Sequence, residues 1–340
     1  MNSVFKAILI SAIMLATVCI NLPIAKADDV VTSLWTSPTS ARLNSVFMVS
    51  SNDGWAVGDE GTILRCNGTS WSNFSSPTTT ALIAVSMVGA SDGWAVGSLG
   101  TIVQWNGSQW QTVPSPTTKI LRSMFMVSSS DGWAVGQDGT IIRWNGTWWN
   151  SVASPTAEWF YSVYMVNGSY GWAVGGQGAI IYWDGASWSN VTSPISGGAL
   201  TSVFMVSSSD GWAVHNSGAI IRWNGTQWSN VASPTSRRLD SVFMVSASDG
   251  WAVGGNYLVP VSTIIRWSGT QWSEVASPTT DSLNSVFMVS SNDGWAVGEN
   301  GIIIRWIGTD WIPEFPTIMP FLLVITFSVA FILIKKSKKQ

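Results

Sequence analysis

The sequence predicts an all-β fold, a seven-bladed β-propeller with four short antiparallel strands in each blade. The tetrad Gly-Trp-Ala-Val recurs at intervals of 39, 39, 39, 40, 39 and 44 residues. A nearly fixed period of about 40 indicates one structural unit copied along the chain, and four strand-like segments per unit are typical of a propeller blade. The seven tetrad tryptophans are Trp55, Trp94, Trp133, Trp172, Trp212, Trp251 and Trp295.

One repeat, residues 202–235, shows how each strand is predicted. Residues 202–206 are apolar on both faces, as expected of an inner strand that is covered on both sides. Asn224-Gly225 predicts a tight hairpin, and Pro234 ends the repeat because proline cannot continue a hydrogen-bonded ladder. The other strands are predicted at 212–214, 219–223 and 227–232, with turns at 207–211 and 216–218.

The two ends of the repeat region predict a closed ring. Residues 35–46 match residues 231–242, so the first repeat is preceded by a segment that resembles a fourth strand. The last repeat reaches Pro313 directly after Trp311 and Ile312, which leaves little room for a fourth strand of its own. We therefore expect residues 30–36 to complete the seventh blade as an N-terminal strand. An open solenoid would instead need polar capping repeats at both ends.

Two sets of recurrent side chains are interpreted as structural. Twenty of the 23 tryptophans fall in three columns of the repeat, which favours packing between neighbouring sheets over a set of sugar-stacking platforms. Cys66 takes the place of one of these tryptophans and is read as a packing residue. Five arginines share one repeat position and should be spread around the ring, away from its axis: Arg65, Arg143, Arg222, Arg266 and Arg305.

The segments that flank the repeats predict export and a membrane anchor. Residues 1–27 have the charge, apolar run and Ala-Lys-Ala site of a signal peptide, with an uncleaved anchor as the alternative. The propeller is assigned to 28–312 and a short linker to 313–316. Residues 317–334 predict a transmembrane helix, because about 18 helical residues approach the thickness of a bilayer. The basic tail 335–340 should be cytoplasmic, which places the ectodomain outside the cell membrane.

The net charge and the number of cysteines argue against nucleic-acid partners and against an intrachain disulfide. Residues 28–316 contain 10 Lys and Arg against 19 Asp and Glu, a net charge of −9, which argues against nucleic acid as a partner. Removal of the signal would leave Cys66 as the only cysteine, so packing rather than an intrachain disulfide should hold the ectodomain.

Two stretches resemble known families. Asp131-Gly-Trp-Ala-Val-Gly136-x-x-Gly139-Thr-Ile-Ile142, followed by a turn and Trp149, resembles the repeat of photosystem II assembly and stability factors, which belong to the Asp-box (BNR) propellers. That resemblance implies a binding or assembly propeller. The turn before Trp149 is one residue shorter than the family's. Pro313-Glu314-Phe315, before an apolar helix and a basic tail, resembles an archaeal sorting signal and implies a sortase-like processing enzyme as a partner.

The repeats offer no constellation typical of catalysis. Sialidase-type propellers need an arginine cluster, a tyrosine nucleophile and an acid, and we predict no catalytic residue, no metal site and no cofactor. His215 is the only histidine, and it replaces a glycine of the repeat. The acids of the Asp-Gly turns are expected to cap those turns rather than bind calcium.

Departures from the repeat predict a ligand-binding sector. The loops from a fourth strand to the next first strand, and the turns from second to third strands, should open on one side of the ring, here named the loop face. In blades 4 to 6 this face carries aromatic and basic residues and an insertion at 255–262. Such residues suit a glycan or protein ligand, with neutral drift of surface loops as the alternative. The candidates are Trp159, Phe160, Tyr161, His215, Arg237, Arg238 and Tyr257.

Seven sequons make glycosylation possible if the chain is exported. Four of them, at 67, 106, 145 and 224, coincide with the Asn-Gly hairpin and are explained by turn geometry alone. The sequon asparagines are Asn67, Asn73, Asn106, Asn145, Asn167, Asn190 and Asn224. Taken together, these features predict a cell-surface-tethered, non-catalytic module for adhesion, envelope assembly or binding of an extracellular protein or glycan. The alternative is a secreted polysaccharide hydrolase or lyase of the Asp-box type.

Overall fold

A computed structural model describes residues 37–256 and 261–313, and within them the seven-bladed propeller is confirmed. Each blade is one antiparallel sheet of four consecutive strands, and its first strand is the innermost. Three-residue 3-10 turns lie at Asp59–Gly61, Ser98–Gly100, Gln137–Gly139 and Glu299–Gly301.

The strand bounds follow the repeat closely. Blades 1 and 2 comprise β1 (Leu43–Ser50), β2 (Asp53–Gly58), β3 (Ile63–Cys66), β4 (Trp71–Asn73), β5 (Leu82–Gly89), β6 (Asp92–Gly97), β7 (Ile102–Trp105) and β8 (Trp110–Thr112). Blades 3 and 4 comprise β9 (Leu121–Ser128), β10 (Asp131–Gly136), β11 (Ile141–Trp144), β12 (Trp149–Ser151), β13 (Phe160–Asn167), β14 (Tyr170–Gly175), β15 (Ile180–Trp183) and β16 (Trp188–Val191). Blades 5 to 7 comprise β17 (Leu200–Ser207), β18 (Asp210–His215), β19 (Ile220–Trp223), β20 (Trp228–Val231), β21 (Leu239–Ser246), β22 (Asp249–Asn256), β23 (Val261–Trp267), β24 (Trp272–Glu274), β25 (Leu283–Ser290), β26 (Asp293–Gly298), β27 (Ile303–Trp306) and β28 (Trp311–Pro313).

The first turn of each repeat is tighter than the sequence predicted. In blade 5 the turn was expected over 207–211, but Ser207 already pairs with Asp210 and the strands are joined by only two residues. The Ser209 N–H donates to the Ser207 hydroxyl at 3.2 Å, so a side chain satisfies the backbone of the turn. The predicted strands are therefore correct in number and order but too short at this end.

Tryptophan packing between blades holds the ring together, as expected. Trp55 of blade 1 is fully buried and contacts Trp105 and Trp110 of blade 2, with ring centroids 4.8 and 5.3 Å apart. The same arrangement recurs from blade to blade. Each ring buries on the order of 150–250 Å², so these columns supply much of the apolar contact between sheets.

Cys66 occupies a tryptophan position, as the sequence indicated. It is buried in the cluster that joins the first and last blades. The Gly68 N–H donates to its sulfur at 3.3 Å. Trp295 contacts Trp71 across this junction at 5.4 Å.

The arginines of the third strands lie away from the axis, as predicted. Arg222 donates to Asp210 at 2.8 Å, and its guanidinium lies over the ring of Trp212, 4.7 Å from the centroid. The acids of the Asp-Gly turns therefore bind arginine in these blades. The recurrent pairs are Arg65–Asp53, Arg143–Asp131, Arg222–Asp210, Arg266–Asp249 and Arg305–Asp293.

The prediction that the last repeat lacks its own fourth strand is wrong. Trp311–Pro313 forms β28 and completes the seventh sheet, with Trp306 paired to Trp311. Three residues suffice, and Pro313 is tolerated because the end of an edge strand needs no further N–H donor. Residues 30–36, expected to close this blade, lie outside the described residues.

The segment that precedes β1 nevertheless joins the first blade to the last. Arg42 forms an ion pair with Glu299 at 3.0 Å, and the Asn284 side chain donates to the Leu43 carbonyl at 2.8 Å. The predicted signal peptide, the predicted transmembrane helix, the basic tail, Glu314 and Phe315 fall outside the described residues. Within 37–256 and 261–313, no helix is long and apolar enough to span a membrane.

Candidate functional site

A cavity opens on the axis of the ring at the loop face. Its volume is about 230 Å³, and it is lined by one residue from each inner strand. These residues share one repeat position, directly after the first buried residue of the strand. We name this space the axial cavity, and its seven inner-strand residues are Asn44, Ile83, Arg122, Tyr161, Thr201, Asp240 and Asn284.

The loop face forms as predicted, with both sets of connections on one side. In blade 1 the Asp59 N–H donates to the Arg42 carbonyl at 2.9 Å, which ties the turn after β2 to the segment before β1. The Gly61 position of this turn has φ +71°, and a Cβ there would meet the Thr78 carbonyl of the following loop. Equivalent bonds in the other blades bring both connections to the cavity.

Arg122 is the most unusual group in the axial cavity. Its guanidinium lies over the ring of Trp159 at 5.3 Å and that of Tyr161 at 5.2 Å. Its Nε is buried and has no hydrogen-bond partner among the described residues. Burial lowers the pKa of Arg122, opposed by Tyr161 and assisted by Arg42 and Arg238. A half-buried cation without an ion-pair partner is costly unless an anion binds it.

The other charged groups of the cavity are paired. Arg238 binds Asp240 at 2.6 Å, Arg42 binds Glu299, and Asp59 accepts from the Asn44 side chain at 2.9 Å. Burial raises the pKa of Asp240, while the nearby Arg238 lowers it. Of the three arginines in the lining, Arg42 and Arg238 have carboxylate partners, and Arg122 has none among the described residues.

Six aromatic side chains are arranged in a circle around the axis, further along the same inner strands. Its members contact one another in sequence around the axis, with centroids 4.7 to 4.8 Å apart. Blade 2 interrupts the ring, because Ser86 stands where the others have an aromatic residue. Burial raises the pKa of Tyr164 to about 12. We name this set the aromatic girdle: Phe47, Phe125, Tyr164, Phe204, Phe243 and Phe287.

Several predicted ligand-binding residues meet at or beside the axial cavity. Tyr161 and Arg238 line it directly. Trp159 adjoins it through Arg122, and its indole N–H donates to Asp138 at 3.0 Å. Phe160 differs, since it is fully buried in the core between blades 3 and 4 and offers no surface to a ligand.

The remaining candidates do not line the cavity. His215 is buried, and its Nδ1 accepts from the Ser217 N–H at 3.1 Å. Its Nε2 lies 3.1 Å from the Gly197 carbonyl, which fits a neutral ring protonated at Nε2. His215 therefore fastens the loop before β17. Arg237 is exposed on the neighbouring loop. Tyr257 lies in the stretch 257–260, outside the described residues.

All seven sequon asparagines are exposed. In the four hairpins, the asparagine Oδ1 accepts from the backbone two and three residues ahead, as it does for Asn67 at 3.0 Å. Turn geometry thus explains these asparagines. By contrast, the side-chain nitrogens of Asn73 and Asn190 donate to the carbonyls of Pro38 and Pro155, so a glycan there would cost a hydrogen bond.

Sequence reasoning missed the convergence of arginines on the axis. The prediction that the five third-strand arginines avoid the axis holds, but Arg42 and Arg122 were not considered, and they line the axial cavity together with the candidate Arg238. The sequence contained a signal for this site. The repeat position that lines the cavity varies from blade to blade among Asn, Ile, Arg, Tyr, Thr and Asp, while the neighbouring positions repeat. Among the described residues, no group of histidine, cysteine and acidic side chains could hold a metal ion.

Comparison with known proteins yields structural neighbours only. No family model and no curated protein matches the chain. The structure of YCF48 bound to D1 peptide is similar at a TM-score of 0.65 and 18% identity, covering 81% of this chain and 95% of that one. The likeness is one of fold. YCF48 from Cyanidioschyzon merolae is similar at a TM-score of 0.62 and 16% identity, and the match covers 79% of this chain and 96% of that one. The WD40 propeller domain of Doa1 is similar at a TM-score of 0.62 and 15% identity, and the match covers 80% of this chain and 96% of that one.

Proposed function

We propose that this protein is a non-catalytic module that binds a protein partner at the loop face. The observation that carries the proposal is the axial cavity, where Arg122 lies close to two aromatic rings and has no ion-pair partner among the described residues. Exposed or half-buried aromatic residues beside arginines are typical of protein-binding hot spots. The fold neighbour bound to a peptide adds support, since it is a propeller of similar architecture.

The setting proposed for this module is the outer surface of the cell. The sequence of residues 1–27 supports export, and that of 317–340 supports a membrane anchor, retained or exchanged after cleavage at the Pro-Glu-Phe motif. Protease added to intact cells should then digest the loops of the propeller. Digestion only after lysis would contradict the proposed location.

Binding to isolated envelope material tests the proposed function. The triple variant Trp159→Ala, Tyr161→Ala, Arg238→Ala should lose most of the binding shown by the unaltered chain. Trp148→Ala is the matched control, because Trp148 is 60% exposed on the hairpin between β11 and β12 and does not line the cavity. Equal loss in both variants, or in neither, would refute a binding site at the loop face.

The cavity also favours a second candidate, a polysaccharide hydrolase or lyase. Arg122, Tyr161 and Asp240 line one space, and burial raises the pKa of Asp240, as an acid catalyst requires. Release of reducing sugar from anionic polysaccharides, abolished by Asp240→Asn and Tyr161→Phe, would support this candidate. Binding of protein without turnover of any such substrate would support the first proposal.

A further inference from the structure

Arg122 has the geometry of a half-completed anion site. Two aromatic rings lie within 5.3 Å of its guanidinium, and the other two arginines of the lining, Arg42 and Arg238, already have their own carboxylate partners. Arg122 lines the cavity, and the planar fork of N–H donors on a guanidinium matches a carboxylate, which accepts two parallel hydrogen bonds. Arg122 therefore borders the cavity without an ion-pair partner among the described residues.

Leu99 marks an apolar surface next to this site. It is 73% exposed, and its backbone has φ +55°, a left-handed conformation that leucine rarely adopts. The same turn carries Glu60, Asp138 and Asn300 in blades 1, 3 and 7, and all of these are polar. Leu99 thus combines an unfavourable backbone with an exposed side chain.

The position of Leu99 connects it to the axial cavity. The Ser98 N–H donates to the Ala81 carbonyl at 3.0 Å, and Ser98, Ala81 and Ile83 all line the cavity. An apolar sector of blade 2 therefore borders the charged sector that contains Arg122. A polyhydroxylated sugar would gain little from Leu99, whereas an aliphatic side chain would bury it.

We propose that the axial cavity binds an acidic protein segment, with one carboxylate on Arg122 and an adjacent aliphatic side chain on Leu99. This inference rests on the proposed protein-binding function and specifies the chemistry of the partner. The carboxylate supplies the negatively charged partner that Arg122 lacks among the described residues. The aliphatic side chain removes Leu99 from water.

Paired synthetic peptides test the proposal on the full-length chain in detergent micelles. Each octapeptide carries Glu beside Leu at its centre, and its partner peptide carries Gln in place of Glu. The unaltered protein should bind the Glu peptides at least tenfold more tightly. Arg122→Met should abolish this preference, and it should fold well because it removes a buried cation. Arg222→Met is the matched control, since Arg222 is also stacked on tryptophan but is paired with Asp210 outside the cavity.

Leu99→Asn separates a binding role from a structural one. Asparagine tolerates the left-handed conformation, so this variant should melt at a higher temperature than the unaltered protein. It should nevertheless bind the Glu-Leu peptides more weakly and lose the preference for Leu over Ser beside the acid. A residue with only a structural role would move stability and binding in the same direction.

The outcomes distinguish this inference from the proposed function. Peptides bound equally well with Glu or Gln, or unaffected by Arg122→Met, would overturn the carboxylate site while leaving a protein-binding module. Arg122-dependent binding of acetate or of acidic oligosaccharides, with no binding of the Glu peptides, would overturn the protein segment as the ligand. Failure of both the peptides and the envelope experiment would overturn the proposed function itself.

Discussion

The backbone N–H of Val46 donates to the hydroxyl of Ser285 at 3.2 Å, joining the first blade to the last across 239 positions of sequence. The equivalent serine links most neighbouring blades, as Ser202 does with the N–H of Val242 at 3.2 Å. The junction that closes the ring is therefore built like an internal one. Its inner-strand bond is independent of the residues that precede Ser37.

Removal of the closing hydroxyl should weaken the whole ring. Ser285→Ala leaves the Val46 N–H without this acceptor, which should lower the free energy of unfolding by about 1 kcal/mol. Ser202→Ala, at an internal junction, is the matched control and should cost a similar amount. Denaturant titration measures both. A cost for Ser202→Ala alone would show that the first and last blades do not depend on this bond.

Completing the aromatic girdle should stabilise the protein. Blade 2 has Ala84 and Ser86 where blade 5 has Ser202 and Phe204, and Ser86 instead accepts from the Met126 N–H at 3.2 Å. The double variant Ala84→Ser, Ser86→Phe restores both the common serine and the ring contact. Aromatic pairs add about 0.5–1.5 kcal/mol beyond burial, so the unfolding free energy should rise by about 1 kcal/mol.

Ser86→Phe alone serves as the comparison for the double variant. The Met126 N–H loses its acceptor in both variants. The single variant should gain less, because only the double variant adds a serine at the position whose hydroxyl accepts from the next inner strand in other blades, as Ser123 does from the Val163 N–H. Equal stability of the single and double variants in thermal unfolding would contradict the role given to the serine.

Blade 2 lacks the third-strand arginine, and introducing one should stabilise the protein in a pH-dependent way. Gln104 pairs with Trp94 in the register that Arg65 has with Trp55, and burial raises the pKa of Asp92 while Gln104 lowers it. Gln104→Arg should form the ion pair seen in five other blades and lower the pKa of Asp92. Its stabilisation, about 0.5–1 kcal/mol, should be present where Asp92 is ionised and vanish as pH falls through that pKa.

The stabilisation by Gln104→Arg should depend on the carboxylate of Asp92. In Asp92→Asn the further change Gln104→Arg should have little effect at any pH. Unfolding at pH 7 and at pH 3 measures both pairs. A gain that persists at pH 3 would assign the effect to stacking on tryptophan alone.

Tyr164 should destabilise the native state in alkali. Its pKa is raised to about 12 by burial, against about 10 for an exposed tyrosine. Because the folded-state pKa is the higher one, the contribution of Tyr164 is fully present below pH 10 and is lost as pH rises toward 12. The loss is of the order of 2–3 kcal/mol.

Tyr164→Phe removes that group and matches the residue found in most of the girdle. The variant should have nearly the same stability at pH 8 and a growing advantage between pH 10 and 12. Tyr170→Phe is the control, since the Tyr170 hydroxyl donates to Ser208 at 2.6 Å on the outer part of the sheet. If the free energy of unfolding changed with pH in the same way for the unaltered protein and for Tyr164→Phe, the effect assigned to Tyr164 would be contradicted.

The repeat made most of the fold predictable from sequence. The period located every blade, and the Asn-Gly hairpins and proline stops located the outer strands. The predicted first turn failed by a few residues because Ser207 pairs with Asp210, so the backbone continues the ladder where composition indicates a turn. The fourth strand of blade 7 was missed because three residues suffice for a strand when Trp306 and Trp311 pair across it.

The candidate site was predictable only in part. Tyr161 and Arg238 were found because they break the repeat beside a loop, but Phe160 was included although it merely replaces a buried leucine of the inner strand. Arg122 was missed because its neighbours in sequence are ordinary. Its importance comes from Trp159 and Tyr161 of the next blade, whose rings both lie close to its guanidinium.

The sequence by itself determined the number of blades, the strand order and the buried tryptophan columns, because these follow from local patterning repeated at a constant period. Only the tertiary structure decided which variable residues meet. Closing seven sheets around an axis brings one position of every inner strand into a single cavity, so Arg42, Arg122 and Arg238 become neighbours although they are far apart along the chain. That proximity arises from ring geometry, which no local segment encodes.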